Sequence, residues 1–142
     1  MPAVLTIYTD GVARGNPGEG GFGVMIKGPD GDILEEIGGY LGVTTNNFAE
    51  YSALVAALRA SIKYHADKTE VYSDSQLLVR QLNGLYRVKS SSLLPLYNEA
   101  KNLISLIGNV IIFYIPREKN READALANKA VDQKIAGVGV RS

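Results

Sequence analysis

The chain has 142 residues, is 46% hydrophobic and carries no cysteine, so it is long enough to bury a core as one globular domain without disulfides. The lack of thiols excludes zinc–thiolate and iron–sulfur chemistry and leaves oxygen ligands, or the single His65, to hold any metal, which favours hard cations such as magnesium or manganese. Fifteen Lys and Arg balance fifteen Asp and Glu, so a polyanionic partner has to be argued from local features and not from net charge.

Residues 4–9 alternate apolar, β-branched and aromatic side chains and predict a strand that stops at Asp10 and Gly11. Residues 20–27 put Phe22, Val24 and Ile26 on one face of a second strand, and a turn over 28–31 leads into a third over 33–41. The period then lengthens, with Phe48, Tyr51, Leu54, Val55, Leu58 and Ile62 recurring at helical spacing. Residues 69–73 predict a short strand, 75–83 a short helix closed by Gly84, and 93–107 a longer helix with Pro95 in its first turn and Gly108 after its end. The apolar run 110–115 predicts a strand covered on both faces. Asn120 is placed to cap a last helix reaching about residue 133, with 134–142 as a glycine-containing tail.

The order βββαβααβα implies an α/β fold, a five-stranded mixed sheet with three antiparallel strands followed by two parallel ones, flanked by helices, in one domain over residues 1–142. No apolar run is long enough to cross a bilayer and the N-terminus lacks a signal-peptide pattern, so a soluble, cytoplasmic monomer is the expectation.

Four acids fall where they can converge. Asp10 and Asp74 follow strands, at the edge where open sheets carry ligand sites. Glu50 and Asp124 sit near helix starts and can point towards that edge. Each also has a plain structural reading: Asp10 as a turn residue before Gly11, Asp74 with Ser73 as a helix cap, Glu50 and Asp124 as first-turn acids favoured by the helix dipole. Together, four clustered carboxylates repel one another unless cations neutralise them, and two divalent ions about 3.5–4 Å apart would clamp a phosphodiester. The string from Gly18 to Gly23 satisfies the dinucleotide pattern G-x-G-x-x-G, but it leads into a strand and not a helix N-terminus, so the phosphate cradle is missing.

Thr9-Asp10-Gly11, Gly15-Asn16-Pro17-Gly18, Gly20-Gly21-Phe22-Gly23 and Thr44-Thr45-Asn46-Asn47 with Glu50 resemble the first half of ribonuclease H type 1. Tyr72-Ser73-Asp74-Ser75-Gln76 and Asn120-Arg121-Glu122-Ala123-Asp124, with Leu126 and Ala127, resemble its second half. The resemblance implies the ribonuclease H-like fold and an endonuclease that cuts the RNA strand of RNA/DNA hybrids with two Mg2+ or Mn2+ ions, leaving 5′-phosphate and 3′-hydroxyl ends. It implies that Asp10, Glu50, Asp74 and Asp124 bind the metals, and that Gly11, Asn16, Thr45, Asn46, Asn47 and Gln76 contact the hybrid. Short amides and hydroxyls suit sequence-independent contacts to phosphates and 2′-hydroxyls. Helix capping is the plain alternative for Asn46 and Asn47.

The chain departs from the family in two places. Many members carry a histidine before the last acid; here the loop of residues 116–120 is short and holds Arg117, as in shorter-loop, often archaeal members, while His65 reads as a surface or capping residue. Arg117 cannot accept a proton, so its role is either electrostatic at the site or a surface ion pair with Glu118 or Glu122. The basic protrusion of bacterial members is reduced to residues 85–90, so Arg80, Arg87 and Lys89 are left as phosphate contacts or as a solvated surface, and a strongly salt-dependent grip is expected. Double-stranded RNA is a further candidate substrate. The competing readings are a silent hybrid-binding module and another nuclease of the same superfamily.

Overall fold

The structure is a computed structural model that describes residues 3–135. Its elements run β1 (Val4–Gly15), β2 (Gly18–Lys27), β3 (Ile33–Thr44), α1 (Asn46–Ser61), β4 (Lys68–Ser73), α2 (Gln76–Leu82), α3 (Leu94–Ile107), β5 (Val110–Tyr114) and α4 (Arg121–Ile135), with short 3-10 turns at Ile62–Tyr64 and Arg117–Lys119. The five strands lie in the order β3-β2-β1-β4-β5, antiparallel from β3 to β1 and parallel from β1 to β5. This is the expected α/β architecture. Lys134 and Ile135 extend the last helix into the region expected as tail, and 136–142 lie outside the described residues.

Alternation along the strands sorts the two sheet faces. Leu5, Ile7, Val24, Ile26, Val71 and Ile112 point to one side and pack with Tyr51, Leu54 and Leu58 of α1 and Ala100 of α3 in a single buried core. Burying each of the large aliphatic side chains contributes roughly 1.5–3 kcal/mol, and this sandwiched layer fixes α1 over β1 and β2.

The first strand does not stop at Asp10. It continues to Gly15 and turns back into β2, because Asp10 pairs with Gly23 and Gly11 with Phe22. Only the parallel partner ends there: β1 and β4 last pair at Thr9 and Ser73. Asp10 therefore sits in mid-strand, just past the point where its neighbour on one side leaves off.

The second correction concerns β5. It was expected to be covered on both faces, yet it is an edge strand with Ile112 buried and Ile111 and Tyr114 exposed. Composition alone does not distinguish an apolar edge strand from a central one.

On the opposite face α4 crosses β1, β2 and β3 at very close range. A Cβ at Gly23 would come within 2.2 Å of the Ala123 carbonyl oxygen and 2.7 Å of the Ala127 nitrogen, and one at Gly21 within 2.9 Å of the Ala127 oxygen. Ala123, Ala127 and Val131 are fully buried against this glycine floor. Gly23, the last glycine of the dinucleotide pattern, thus serves helix–sheet contact. Gly23→Ala should cost about 3 kcal/mol in urea unfolding, because the clash is with backbone that cannot rotate away; a loss below about 0.5 kcal/mol would mean α4 can lift freely.

Candidate active site

The edge at which β4 ends collects the acids. Asp10, from mid-β1, and Asp74, one residue beyond β4, are neighbours because Thr9 and Ser73 are in register. Glu50 reaches the same place from the first half of α1, where its Oε1 accepts the Gly11 backbone N–H at 3.0 Å. Gly11 has to be glycine for this approach, since a Cβ there would lie 2.2 Å from the Ala49 carbonyl carbon. One carboxylate oxygen from each of Asp10, Glu50 and Asp74 lies within 4.8 Å of the others. Asp10 is 4% exposed and Glu50 8%.

Asp124 comes from the first turn of α4, and its carboxyl lies near enough to that of Asp10 to raise the Asp10 pKa, outside the three-oxygen set. Its Oδ1 also accepts from Asn128 Nδ2 at 3.3 Å. Arg117 and Asp124 share with Asp10, Gly11 and Asn46 the walls of a cleft of about 230 Å³. No ion pair of Arg117 with Glu118 or Glu122 forms among the described residues. Instead its positive charge acts on Glu50.

The structural alternatives for the acids resolve one by one. Ser75, not Asp74, caps α2 by accepting the Leu78 N–H. Thr45, not Asn46 or Asn47, caps α1 by accepting the Phe48 N–H. Asp10 lies in a strand and not in a turn. Glu50 lies beyond the first turn of α1, while Asp124 does occupy the first turn of α4, as a dipole-favoured acid would.

Around the acids, Asn16 Oδ1 accepts the Asn46 N–H at 3.1 Å, joining the β1–β2 turn to the start of α1. Asn16, Thr45, Asn46, Asn47 and Gln76 are all exposed, the last opening α2 two residues after Asp74. His65 is remote from the cleft. It holds a left-handed backbone (φ 50°) after the 3-10 turn and lines a cavity of about 210 Å³ with Leu106 and Ile107.

The sequence missed one residue. Asn120, expected to cap the last helix, is fully buried and sends its side chain to β1 and to Asp74, donating to the Thr9 carbonyl at 2.9 Å and to Asp74 Oδ2 at 3.2 Å. The capping signal masked it, since an Asn before a helix is ordinarily explained by the helix alone.

Burial first, then repulsion from Glu50, pushes Asp10 up to about 10. Burial and Asp74 push Glu50 up to about 8, against the opposing pull of the Gly11 N–H and Arg117. This is the behaviour of crowded, buried carboxylates whose repulsion a single nearby positive charge, Arg117, offsets only in part. A divalent cation fits the cluster: the donors are hard oxygens, they converge, and positive charge would relieve the repulsion. A carboxyl whose folded pKa is raised contributes stability that is fully present below its unfolded value, near 3.8 for Asp10 and 4.5 for Glu50, and lost as pH climbs towards the folded value. In EDTA, the thermal midpoint of Asp10→Asn should therefore exceed that of the parent at pH 8 by several degrees. Added Mg2+ or Mn2+ should close the gap. A less stable Asn variant in EDTA would sink this account of the site.

Comparison with known proteins agrees with the geometry. A family model described as reverse transcriptase-like matches residues 8–130. Ribonuclease HI of Halobacterium salinarum is 41% identical over 125 residues, which cover 88% of this chain and 63% of that protein. The chain thus spans less than two thirds of that curated relative, and 35% of a bifunctional protein of Mycobacterium tuberculosis to which it is 40% identical. Among solved structures, LC11-RNase H1 in complex with RNA/DNA hybrid superposes with a TM-score of 0.88 at 41% identity, covering 92% of this chain and 99% of that one. RNase H1 from the halophilic archaeon Halobacterium salinarum gives 0.87 at 39%, covering 92% and 98%. Similarity of this extent, in sequence and in backbone, makes the chain a member of the ribonuclease H type 1 family.

Proposed function

We propose that this chain is an endoribonuclease that hydrolyses the RNA strand of RNA/DNA hybrids with two divalent cations, Mg2+ or Mn2+, leaving 5′-phosphate and 3′-hydroxyl ends. The observation that carries the reading is the convergence of Asp10, Glu50 and Asp74 oxygens within 4.8 Å at a cleft shared with Asp124 and Arg117. It is supported by the similarity to LC11-RNase H1, which was crystallised with such a hybrid.

In this reading Asp10, Glu50, Asp74 and Asp124 hold the cations. When bound, the pair supplies acidity for the attacking water and neutralises charge on the phosphodiester. The protein's own part is placement. Gly11 lends its N–H to orient Glu50, and the end of β4 sets Asp74 beside Asp10. Asp124, exposed more than Asp10 and carried on a separate helix, completes the set from the α4 side of the cleft. Arg117 is permanently charged and holds a phosphate oxygen or eases product departure; it moves no proton.

Gly11 on the cleft floor, with Asn16, Thr45, Asn46, Asn47 and Gln76, forms the hybrid-contacting set. Five of the six offer short neutral polar side chains. They bond backbone groups of a minor groove without reading sequence. Double-stranded RNA is a secondary substrate in the same reading, residues 1–142 act as one domain, and the active form is a monomer.

Cleavage of labelled hybrid, duplex DNA and double-stranded RNA with and without EDTA tests the assignment. The hybrid should be cut in Mg2+ or Mn2+ alone, and Asp10→Asn, Glu50→Gln and Asp74→Asn should each lower turnover by at least about 100-fold with the fold retained. Duplex DNA cut as fast as hybrid would overturn the substrate, and an active Asp10→Asn the metal role. Arg117→Ala should reduce hybrid turnover by roughly tenfold, about 1.4 kcal/mol of transition-state stabilisation; unchanged kinetics would return Arg117 to the surface.

A further inference from the structure

Asn120 makes four hydrogen bonds that tie together β1, the Asp74 link, the Arg117 turn and the start of α4. Its backbone N–H donates to the Arg117 carbonyl at 2.9 Å, and its carbonyl accepts the Asp124 N–H at 3.1 Å. Its side-chain Nδ2 donates both protons, one to the Thr9 carbonyl and one to Asp74 Oδ2. The residue is 0% exposed. Its Oδ1, also buried, has no hydrogen-bond partner among the described residues.

That orphaned oxygen is informative. Buried acceptors are nearly always satisfied, and leaving one unpaired costs folding free energy. The amide cannot flip to relieve it: exchanging Oδ1 and Nδ2 would aim an oxygen at a carbonyl and a carboxylate, three acceptors with no proton among them. A helix cap would turn the acceptor towards the free N–H groups of α4, which this side chain does not do. Every feature of the placement serves the two donors.

We propose that Asn120 is the positioning residue for Asp74, holding its carboxylate at the angle that faces Asp10 and Glu50. The inference rests on the reading of the cluster as a divalent-cation site. Asp74 lies outside β4, on a two-residue link to α2, and is only half-buried, so the strand by itself does not fix its side chain. Engaging Oδ2 stops rotation of the carboxylate and leaves the remaining lone pairs directed at the cluster. The donor is neutral, which matters: a Lys or Arg in this place would cancel the charge the cation needs, whereas an amide orients the oxygen and leaves the charge available. Because the second proton goes to Thr9, next to Asp10, Asp74 is referenced to the same strand as the acid it must meet.

Mn2+ binding followed by electron paramagnetic resonance separates this from a purely structural role. The parent chain should bind Mn2+. Asn120→Ala should weaken that binding about 10- to 100-fold per folded molecule and lower kcat/KM on hybrid by a comparable factor. On an Asp74→Asn background the same substitution should have no further effect on binding. No Mn2+ binding by the parent overturns the cation-site reading itself. Parent binding that Asn120→Ala leaves within twofold overturns the role of Asn120 alone. Should Asn120→Ala not fold, the unmodified protein still decides: the Asn120 side-chain amide resonances should shift on Mg2+ addition with the midpoint of metal binding, and unmoved resonances overturn the proposal.

Discussion

Like charges brought together in a buried pocket resist being there, and the arrangement of this sheet edge follows from that resistance. Asp10 and Glu50 are nearly inaccessible, and both are driven towards protonation by burial and by their neighbours. A chain that only had to fold would keep such groups apart. Here β1 runs on past the end of β4, α1 approaches closely enough at Gly11 for Glu50 to be fastened by a backbone N–H, and a buried amide reaches Asp74 from the far side. Local stability has been exchanged for a concentration of negative charge that a cation can use, the pattern expected where strain is kept for function.

The helical half of the site depends on packing that is almost entirely backbone against backbone. Gly21 and Gly23 on β2 face Ala123 and Ala127 on α4, at distances that admit no side chain larger than hydrogen on the sheet. This brings the first turn of α4 down onto β1, and with it Asp124 against Asp10. Gly23 is also the last glycine of a phosphate-binding pattern when Gly18 to Gly23 is read as a string. Only the element that follows it, a strand in place of a helix N-terminus, decides between the two meanings.

Most element boundaries were legible because periodicity reports burial directly: the 3.6-residue spacing of Tyr51, Leu54 and Leu58 is the core face of α1, and Val24 with Ile26 is the core face of β2. What was not legible depended on partners distant in sequence. Strand β1 outlasts Asp10 because β2 pairs with it there, and no property of residues 10–15 announces that. The apolar run of β5 looks like a central strand because Tyr72 and Phe113 stack across the sheet and shelter its outer face in part, although the strand is an edge. Asn120 was hidden for a different reason. Its position directly before α4 satisfies the local capping rule, which accounts for an Asn there without any partner distant in sequence.

Charge balance bears on how substrate would be held. The set proposed to contact the hybrid is neutral, and the exposed cations at the end of α2 and in its connection to α3, Arg80, Arg87 and Lys89, are few, with Arg80 already turned onto the Tyr86 ring and its hydroxyl. A duplex carries its negative charge along its whole length, so a protein with few cations in this region depends on the charge of the ions in its cleft for a larger share of the attraction. Affinity and catalysis then draw on one source. Weakening the grip of the carboxylates on their cations would loosen the substrate as well as slow its hydrolysis, whereas in a relative with a basic handle the two effects would separate.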